Sequence, residues 1–361
     1  MTPKLKVGVL GATGMVGQRF VSLLAEHPWF ELVSVAASPS SAGKPYGEAV
    51  AGRWTLPGGA PAKAASLVVQ DAAEVAKVSS QVDFVFCAVD LPKDATAKLE
   101  DDYAKAETPV VSNNSAHRWT PDVPMIIPEL NPEHAGVIEA QRRRLGTTRG
   151  FVTVKPNCSI QSYVPALHAL KHFGPSRLAV CTYQAISGAG KTFESWPEMV
   201  DNVIPFIKGE EEKSEQEPLK IWGTLSDGRI VTARGPAITA QCIRVPVSDG
   251  HLAAVFVSFE KKPTREEMLA AWKSFSGRPQ ALKLPSAPTP FLQYLEDDNR
   301  PQTKLDRDAG NGQAVTIGRL RPDAVFDWRF VSLSHNTVRG AAGGAVLTAE
   351  LLAADGYLSR K

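Results

Sequence analysis

One cysteine stands where a predicted strand gives way to a predicted helix. The alternating apolar residues at 151–154 are typical of a short strand, and Pro156 ends strand pairing because it has no backbone N–H to donate. Apolar residues recur with helical spacing from Ile160 onward, so Cys158 is expected at or near the first turn of a helix. Unpaired backbone N–H groups there favour a thiolate and can stabilise an oxyanion. The pattern predicts a nucleophile; the alternative is a small buried apolar side chain.

An arginine and a histidine, Arg244 and His251, bracket a predicted turn in the stretch RVPVSDGH. Residues 247–250 are suited to a turn between two antiparallel strands, and a hairpin would put both side chains on one face. Arginine binds carboxylates through two parallel hydrogen bonds, and histidine titrates in the range that acid–base catalysis requires. The pair predicts carboxylate binding beside proton transfer; the alternative is an exposed histidine that follows a turn.

Four glycines, at positions 8, 11, 14 and 17, separate the first predicted strand from the first predicted helix. Their GxxGxxG spacing departs from the GxGxxG fingerprint, but the required order of strand, turn and helix is present. Glycines let the backbone approach a pyrophosphate at the start of the helix, so the sequence predicts a dinucleotide site. The later stretch 188–192 imitates a P-loop. Because Ala185 replaces the first P-loop glycine, no nucleoside triphosphate site is expected there.

The loop after the second predicted strand indicates which dinucleotide binds. An NAD site usually has Asp or Glu at this point, but the sequence AASPSSAGKPYG has no acid before Glu48. Ser38, Ser40, Ser41 and Lys44 can instead bind and neutralise a 2′-phosphate. This favours NADP; the alternative is a loop without a ligand.

The composition excludes several classes of protein. Charged residues make up 22% and the formal net charge is +2, so no basic face for nucleic acid is expected. The 4 cysteines form no CxxC pair and no metal-ligand spacing with the 7 histidines, which predicts no metal and a reducing compartment. The N-terminus enters a strand at about Leu5, and no stretch is long enough to span a bilayer. We therefore expect a soluble, cytoplasmic protein.

Strands and helices alternate through the first part of the chain, which predicts a doubly wound parallel sheet. They include the apolar run VDFVFCAVD, the stretch PVVSNNS and a short strand at MIIPEL. After Cys158 an α+β pattern with longer strands follows, so we place a domain boundary near Lys155. Residues 206–221 predict a charged helix and residues 289–313 a long loop. The last helix begins with the small residues of 340–344, which permit close packing or leave room for a ligand.

Distinctive motifs run through both parts of the chain: GATGMVG, SAGKPYG, VVSNNSAHR, KPNCS, TYQAISGAG, IPFIKGEEEK, RVPVSDGH, LDRDAGNGQ and HNTVRGAAGGA. On these motifs the chain resembles the aspartate-β-semialdehyde dehydrogenase family, in particular its archaeal and fungal branch. Members reductively dephosphorylate β-aspartyl phosphate with NADPH, through a thioester on cysteine, on the route to threonine, methionine and isoleucine. The resemblance implies an α/β fold with a Rossmann-like domain at 1–155, completed by a C-terminal helix at 337–361, and a catalytic and dimerisation domain at 156–336.

The resemblance also implies a role for particular residues. Cys158 would be the nucleophile, His251 the acid–base catalyst, and Gln184 the group that orients the acyl intermediate. The substrate would be held at its α-carboxylate by Arg244, at its amino group by Glu210 or Glu211, and at its phosphate by Asn113, Arg118, Asn157 and Lys213. The residues implied for NADP are Gly11, Thr13, Gly14, Met15, Val16, Ser38, Ser41, Gly188 and Asn336. A homodimer or homotetramer assembled through the second domain is implied as well.

Three alternatives remain open from the sequence. A reductase of N-acetylglutamyl phosphate or of malonyl-CoA would share the fold and the nucleophile. A non-catalytic NADP-binding sensor would share the dinucleotide site, although a sensor has no need of Cys158, Gln184, Arg244 and His251 together. Spacing also does not decide which Glu/Lys pair within 210–220 meets the substrate, nor which residues hold the 2′-phosphate.

Overall fold

The computed structural model describes residues 3–361, and within them the strands form two six-stranded sheets and a two-stranded ribbon. The strands are β1 (Leu5–Leu10), β2 (Phe30–Ala37), β3 (Gln70–Asp71), β4 (Phe84–Cys87), β5 (Val110–Ser112), β6 (Val152–Val154), β7 (Pro175–Gln184), β8 (Thr224–Ser226), β9 (Arg229–Val231), β10 (Ala237–Arg244), β11 (His251–Phe259), β12 (Leu292–Leu295), β13 (Val315–Pro322) and β14 (Trp328–Ser334). The α-helices are α1 (Met15–Leu24), α2 (Tyr46–Ala49), α3 (Ala62–Ala65), α4 (Val75–Ser79), α5 (Lys93–Lys105), α6 (Ile138–Leu145), α7 (Val164–His168), α8 (Glu210–Ile221), α9 (Arg265–Ser274), α10 (Arg278–Ala281), α11 (Thr303–Asp306) and α12 (Gly343–Ala354).

The first sheet confirms the predicted doubly wound architecture. Its strand order is β3-β2-β1-β4-β5-β6, and every neighbouring pair is parallel. All four residues of β4 are buried, as expected of a strand covered on both faces. The chain order reverses between β1 and β4, and in sheets of this kind a crevice opens there at the carboxyl ends of the strands.

The second sheet has the order β10-β7-β11-β14-β13-β12 and is mixed. Strand β7 lies between β10, to which it is parallel, and β11, to which it is antiparallel. The predicted hairpin between Arg244 and His251 is therefore wrong, because β10 and β11 are not neighbours. Both residues nevertheless reach the end of β7: Arg244 pairs with Gln184, and Leu252 pairs with Tyr183.

Three other local predictions are also wrong. The stretch MIIPEL forms no strand; Met125 makes only an isolated bridge to Val154. The continuous helix predicted after Cys158 is broken into a 3₁₀ turn, Ser159–Ser162, and the short α7, which has a proline in its first turn. Residues 289–313 are not a plain loop, because they contain β12 and α11.

The C-terminal helix α12 packs into the core of the first sheet. Ten of its residues are buried, and Ala345, Val346 and Leu347 share a cluster of buried side chains with Val7 and Phe84. A helix that is apolar all round needs cover on every side, which the sheet and α1 provide. No helix within residues 3–361 is long and apolar enough to cross a membrane. The exact domain boundary near Lys155 stays a prediction.

Candidate active site

Cys158 lies just beyond the end of β6, at the start of the 3₁₀ turn. Its backbone is in the right-handed helical region, and its side chain is half-buried. The preceding Asn157 stabilises the turn, since its Oδ1 accepts hydrogen bonds from the backbone N–H and the hydroxyl of Ser159, at 2.8 and 2.7 Å. The cysteine therefore stands at the start of one tight turn rather than of a long helix.

The thiol of Cys158 contacts the imidazole of His251. Sγ lies 3.4 Å from Nε2, and Nδ1 on the other side of the ring accepts a hydrogen bond from the backbone N–H of Ala185 at 3.1 Å. Because Nδ1 is an acceptor, the hydrogen of the neutral ring is on Nε2 and faces the sulfur. Burial, together with the nearby Arg244, lowers the pKa of His251 to about 3. The imidazole is thus neutral and can donate to a group at Cys158.

The end of β7 places two further predicted residues beside this pair. Gln184 is buried and its Nε2 donates to Oε2 of Glu210 at 3.2 Å. Arg244 is also buried, and its Nη1 donates to the backbone oxygen of Ala185 at 2.7 Å. A methyl group built onto Gly188 would stand 2.9 Å from Nη1 of Arg244 and 3.0 Å from the ring of His251. A glycine at this position leaves the space next to both groups free.

Glu210 is a buried carboxylate at the start of α8. It accepts hydrogen bonds from Nδ2 of Asn157 at 2.9 and 3.0 Å, and Nζ of Lys213 lies 2.8 Å away. Burial acts to raise the pKa of Glu210, but Lys213, Asn157 and Gln184 hold it below its ordinary value. Glu211 points elsewhere, toward Gln241 at 2.8 Å. The structure therefore brings Glu210, and not Glu211, to the cysteine.

The residues expected to hold phosphate are only partly free to do so. Arg118 donates to Glu217 at 2.9 Å, to the backbone oxygen of Lys155 at 3.0 Å and to that of Asn113 at 3.3 Å. Glu217 also accepts the backbone N–H of Asn157 at 2.6 Å. By contrast, both amide atoms of Asn113 are buried without a hydrogen-bond partner within residues 3–361. A buried amide of this kind is suited to an anion or water that completes its hydrogen bonds.

The second Glu/Lys pair of α8 has a structural role. While Glu217 is held by Arg118, the amine of Lys220 donates to the backbone oxygens of Arg118, Thr120 and Val123. Burial lowers the pKa of Lys220 to about 8. By contrast, Glu210 contacts Asn157, Gln184 and Lys213 near the cysteine, so the assignment of Glu210 and Lys213 to the substrate stays a prediction that these contacts favour.

The Gly-rich turn has the geometry that a dinucleotide requires. Gly11 has φ +79°, and a Cβ there would lie 2.3 Å from the oxygen of Ala88. A Cβ on Gly17 would lie 2.1 Å from the oxygen of Gly11, so the turn and α1 pack closely. A cleft of about 330 Å³ opens at the strand reversal. Its lining includes Gly11, Thr13, Gly14, Ser38, Pro39, Ala73, Val89 and Leu91.

Of the remaining residues predicted to bind the cofactor, some line a second cleft and others pack in the protein interior. Met15 and Ser187 line a second cleft of about 170 Å³ next to the first turn of α1. Asn336 is buried and forms hydrogen bonds with two different loops. Its Nδ2 donates to the hydroxyl of Ser187 at 2.8 Å, and its Oδ1 accepts from the backbone N–H of Gly250 at 2.8 Å. Val16 packs partly against the core of the first sheet.

Arg53 is a cation that the sequence patterns did not single out. Its Nη2 donates to the hydroxyl of Ser41 at 3.1 Å, and its Nε donates to the backbone oxygen of Ala49 at 2.8 Å. The hydroxyls of Ser38 and Ser40 are 2.9 Å apart. The loop that carries Ser38, Ser40 and Ser41, called the serine loop below, therefore lies next to the positive charge of Arg53.

The fold joins a parallel sheet that has a glycine-lined crevice to a mixed sheet whose histidine contacts a cysteine. Together these features define a class of protein. It is the class of dinucleotide-dependent oxidoreductases that act through a cysteine nucleophile. Residues 6–138 match the family described as "Semialdehyde dehydrogenase, NAD binding domain", and residues 165–339 match "Semialdehyde dehydrogenase, dimerisation domain". The chain belongs to the semialdehyde dehydrogenase family.

Individual relatives extend over nearly the whole chain. An aspartate-semialdehyde dehydrogenase of Archaeoglobus fulgidus is 45% identical over 97% of this chain and 98% of its own length. A malonyl CoA reductase (NADP) of Metallosphaera sedula is 38% identical over 100% of both chains. The crystal structure of aspartate semialdehyde dehydrogenase with NADP from Candida albicans has a TM-score of 0.87 and 36% identity, covering 98% of this chain and 100% of that one.

We predict different losses when the cysteine and the histidine are replaced. Cys158→Ser should lose almost all turnover, because an alkoxide forms far less readily than a thiolate. His251→Asn should keep dinucleotide binding and lose ~10²–10⁴-fold in kcat, which is the usual contribution of a positioned proton-transfer group. Steady-state kinetics and dinucleotide titration of both variants measure this. Substantial turnover by Cys158→Ser would show that the active site lies elsewhere.

Proposed function

We propose that the chain is an aspartate-β-semialdehyde dehydrogenase, which reduces β-aspartyl phosphate with NADPH to aspartate semialdehyde and phosphate. The choice of substrate rests on Glu210, an ionised carboxylate near Cys158. Its partners are Asn157, Gln184 and Lys213. Among the three activated carboxylates considered, only β-aspartyl phosphate has an ammonium group for such a carboxylate to bind. A malonyl group has no amine, and the nitrogen of an N-acetylglutamyl group is an uncharged amide.

The proposed chemistry divides the reaction into two transfers. The thiolate of Cys158 attacks the acyl carbon, the carbon–oxygen bond to phosphate breaks with its electron pair on phosphate, and a thioester forms. Bound NADPH supplies the hydride that reduces this thioester. The resulting oxyanion can accept a hydrogen bond from the Nε2–H of His251, while Gln184 helps to fix the acyl group. Cleavage of the carbon–sulfur bond then releases the aldehyde and returns the thiolate.

The residues around the thiol fit the other groups of this substrate. Arg244 offers a guanidinium for the α-carboxylate on the side of Cys158 where Gly188 leaves space. Asn113, whose amide lacks partners within the described chain, and Arg118 are proposed for the phosphate, together with Lys213 and Asn157, which both contact Glu210. The product belongs to the route to threonine, methionine and isoleucine. A cytoplasmic location completes the proposal, in keeping with cysteines that form no disulfide within residues 3–361.

The substrate is tested by assaying NADP⁺ reduction with aspartate semialdehyde and phosphate, beside N-acetylglutamate semialdehyde, and NADPH oxidation with malonyl-CoA. We expect aspartate semialdehyde to give the highest kcat/KM. Glu210→Gln should lower that value by ~10–10²-fold, which is the contribution of a charge-assisted hydrogen bond. Glu211→Gln is the matched control and should change it little, because Glu211 faces Gln241.

Two outcomes would contradict the substrate assignment. A higher kcat/KM with malonyl-CoA than with aspartate semialdehyde would make the chain a malonyl-CoA reductase. Tight NADPH binding without turnover of any of the three substrates would leave only the dinucleotide-binding sensor.

The serine loop next to Arg53 predicts how the 2′-phosphate is held. NADPH should be preferred over NADH, and Arg53→Ala should raise KM for NADPH by ~10-fold while KM for NADH changes little, since one charged contact contributes about 1.5 kcal/mol. Arg143→Ala, at an exposed arginine of α6, is the control. Equal KM increases for both dinucleotides would contradict a 2′-phosphate contact.

A homodimer is part of the proposal. Across β7, β11 and β14 the neighbours Val180, Val255 and Phe330 are buried, whereas the next row on the opposite face, Cys181, Ala254 and Val331, is apolar and only half-buried. The apolar open face lies within the residues that match the family's dimerisation domain. A second copy related by twofold symmetry would cover it.

Light scattering of the wild-type chain should give at least a dimer mass at about micromolar concentration, within the range of stable homodimers. Ala254→Arg should shift the mass toward the monomer, because it places a charge in the apolar face. Val325→Arg, at a side chain that is 78% exposed, is the control and should leave the mass unchanged. A monomer mass for the wild type would refute the assembly.

A further inference from the structure

The glycines before and within the first turn of α12 make room for two side chains that follow β6. A Cβ added to Gly340 would lie 2.8 Å from Cβ of Cys158. A Cβ added to Gly344 would lie 2.5 Å from Cε and 3.0 Å from Nζ of Lys155. The same small-residue surface is therefore in contact with the cysteine and with a lysine amine. This accounts for the run of small residues in the sequence.

Lys155 is held by its backbone, while its amine is left without a carboxylate. The residue is 3% exposed; its backbone N–H donates to Ser112 at 2.8 Å and its oxygen accepts from Arg118 at 3.0 Å. Within the part of the chain that the structure describes, the neighbouring carboxylates are already paired. Glu129 forms a bidentate pair with the buried Arg339, and Glu217 pairs with Arg118.

Charges of both signs surround the two groups. Those that act on Lys155 are Arg339 in the turn before α12, Arg118, Glu129 and Cys158 itself, and those that act on Cys158 are Glu210, Arg118, Lys155, Arg244 and the contacting His251. Burial, and after it Arg339, lowers the pKa of Lys155 well below its ordinary value. Burial, and after it Glu210, raises the pKa of Cys158 to about 11. Both groups are thereby biased toward their neutral forms in the free protein.

His251 does not supply the positive charge that a thiolate needs. Its Nδ1 already accepts the N–H of Ala185, and its low pKa keeps the ring neutral. A neutral imidazole can donate one hydrogen bond to the sulfur, but it adds no charge. A buried thiolate is costly without a cation nearby.

We propose that Lys155 is a positioning residue for the nucleophile, and that its amine, as an ammonium ion, stabilises the thiolate of Cys158. The inference rests on the proposed role of Cys158. An ammonium and a thiolate that pack against the same small-residue surface stabilise each other, so the proton equilibria of the two groups are linked. Removal of the amine should raise the pKa at which the thiolate forms.

Alkylation of Cys158 by iodoacetamide, followed by peptide mass spectrometry from about pH 5 to about pH 10, measures the thiolate without any turnover. Because the pKa of Cys158 is about 11, the alkylation rate at a given pH below that value reports the thiolate fraction. In Lys155→Met we expect the rate near neutral pH to fall ~10-fold, which corresponds to a rise of about one unit in the thiol pKa. A small free thiol added to the same reaction serves as the internal control, and its rate should not change. Lys171→Met, at an exposed lysine, should leave both profiles as in the wild type.

An unchanged alkylation rate of Cys158 near neutral pH in Lys155→Met, with wild-type NADPH binding, would overturn the proposal. If that variant fails to fold, Lys155→Gln keeps a polar end in the same space and is held to the same criterion. The result is independent of the substrate. A shifted profile supports the role of Lys155 even if aspartate semialdehyde proves not to be the substrate, and failure of the substrate assay alone does not shift it.

Discussion

The contact between Cys158 and His251 joins the two sheets, and the rest of the site depends on it. The cysteine comes from the end of β6 in the first sheet, and the histidine begins β11 in the second; their side chains meet at 3.4 Å. Such a contact requires both sheets to end at the same place. Just after β7, the backbone N–H of Ala185 donates a hydrogen bond to the histidine. In the turn before α12, Gly340 packs against the cysteine. A change in any of these elements alters the approach of sulfur to imidazole.

Burial of charge is the second constraint on this site. The pair Arg339–Glu129 is fully buried, and Arg118–Glu217 nearly so. Loss of one member of such a pair typically costs about 3–5 kcal/mol, because the other charge is left without a partner. Arg118 also donates to the backbone oxygen of Lys155, and Glu217 accepts from the backbone N–H of Asn157, so this pair fixes the backbone just before the nucleophile. We infer that stability and reactivity are coupled at this point of the fold.

The sequence was informative where a pattern is local. Alternation and glycine spacing predict the first sheet and its crevice, and residue type together with the neighbouring sequence marks Cys158, Arg244 and His251 as candidates. The predicted hairpin is wrong because β7 inserts between β10 and β11, and pairing between residues so far apart in sequence leaves no local signal. The helix after Cys158 is interrupted before Val164, where α7 begins, since Pro165 has no backbone N–H to continue the hydrogen bonds of the preceding turn. Arg53 reaches Ser41 across a folded loop, which periodicity does not reveal.

The most direct test of the account is the identity of the residue that becomes acylated. When aspartate semialdehyde is supplied without phosphate, it should form a thiohemiacetal with the cysteine. NADP⁺ should then oxidise this thiohemiacetal to a thioester that hydrolyses slowly. Peptide mass spectrometry after rapid acid quenching should find the aspartyl adduct on Cys158. An adduct on Cys87, Cys181 or Cys242, or turnover with no adduct at any cysteine, would contradict the assignment of Cys158 as the nucleophile.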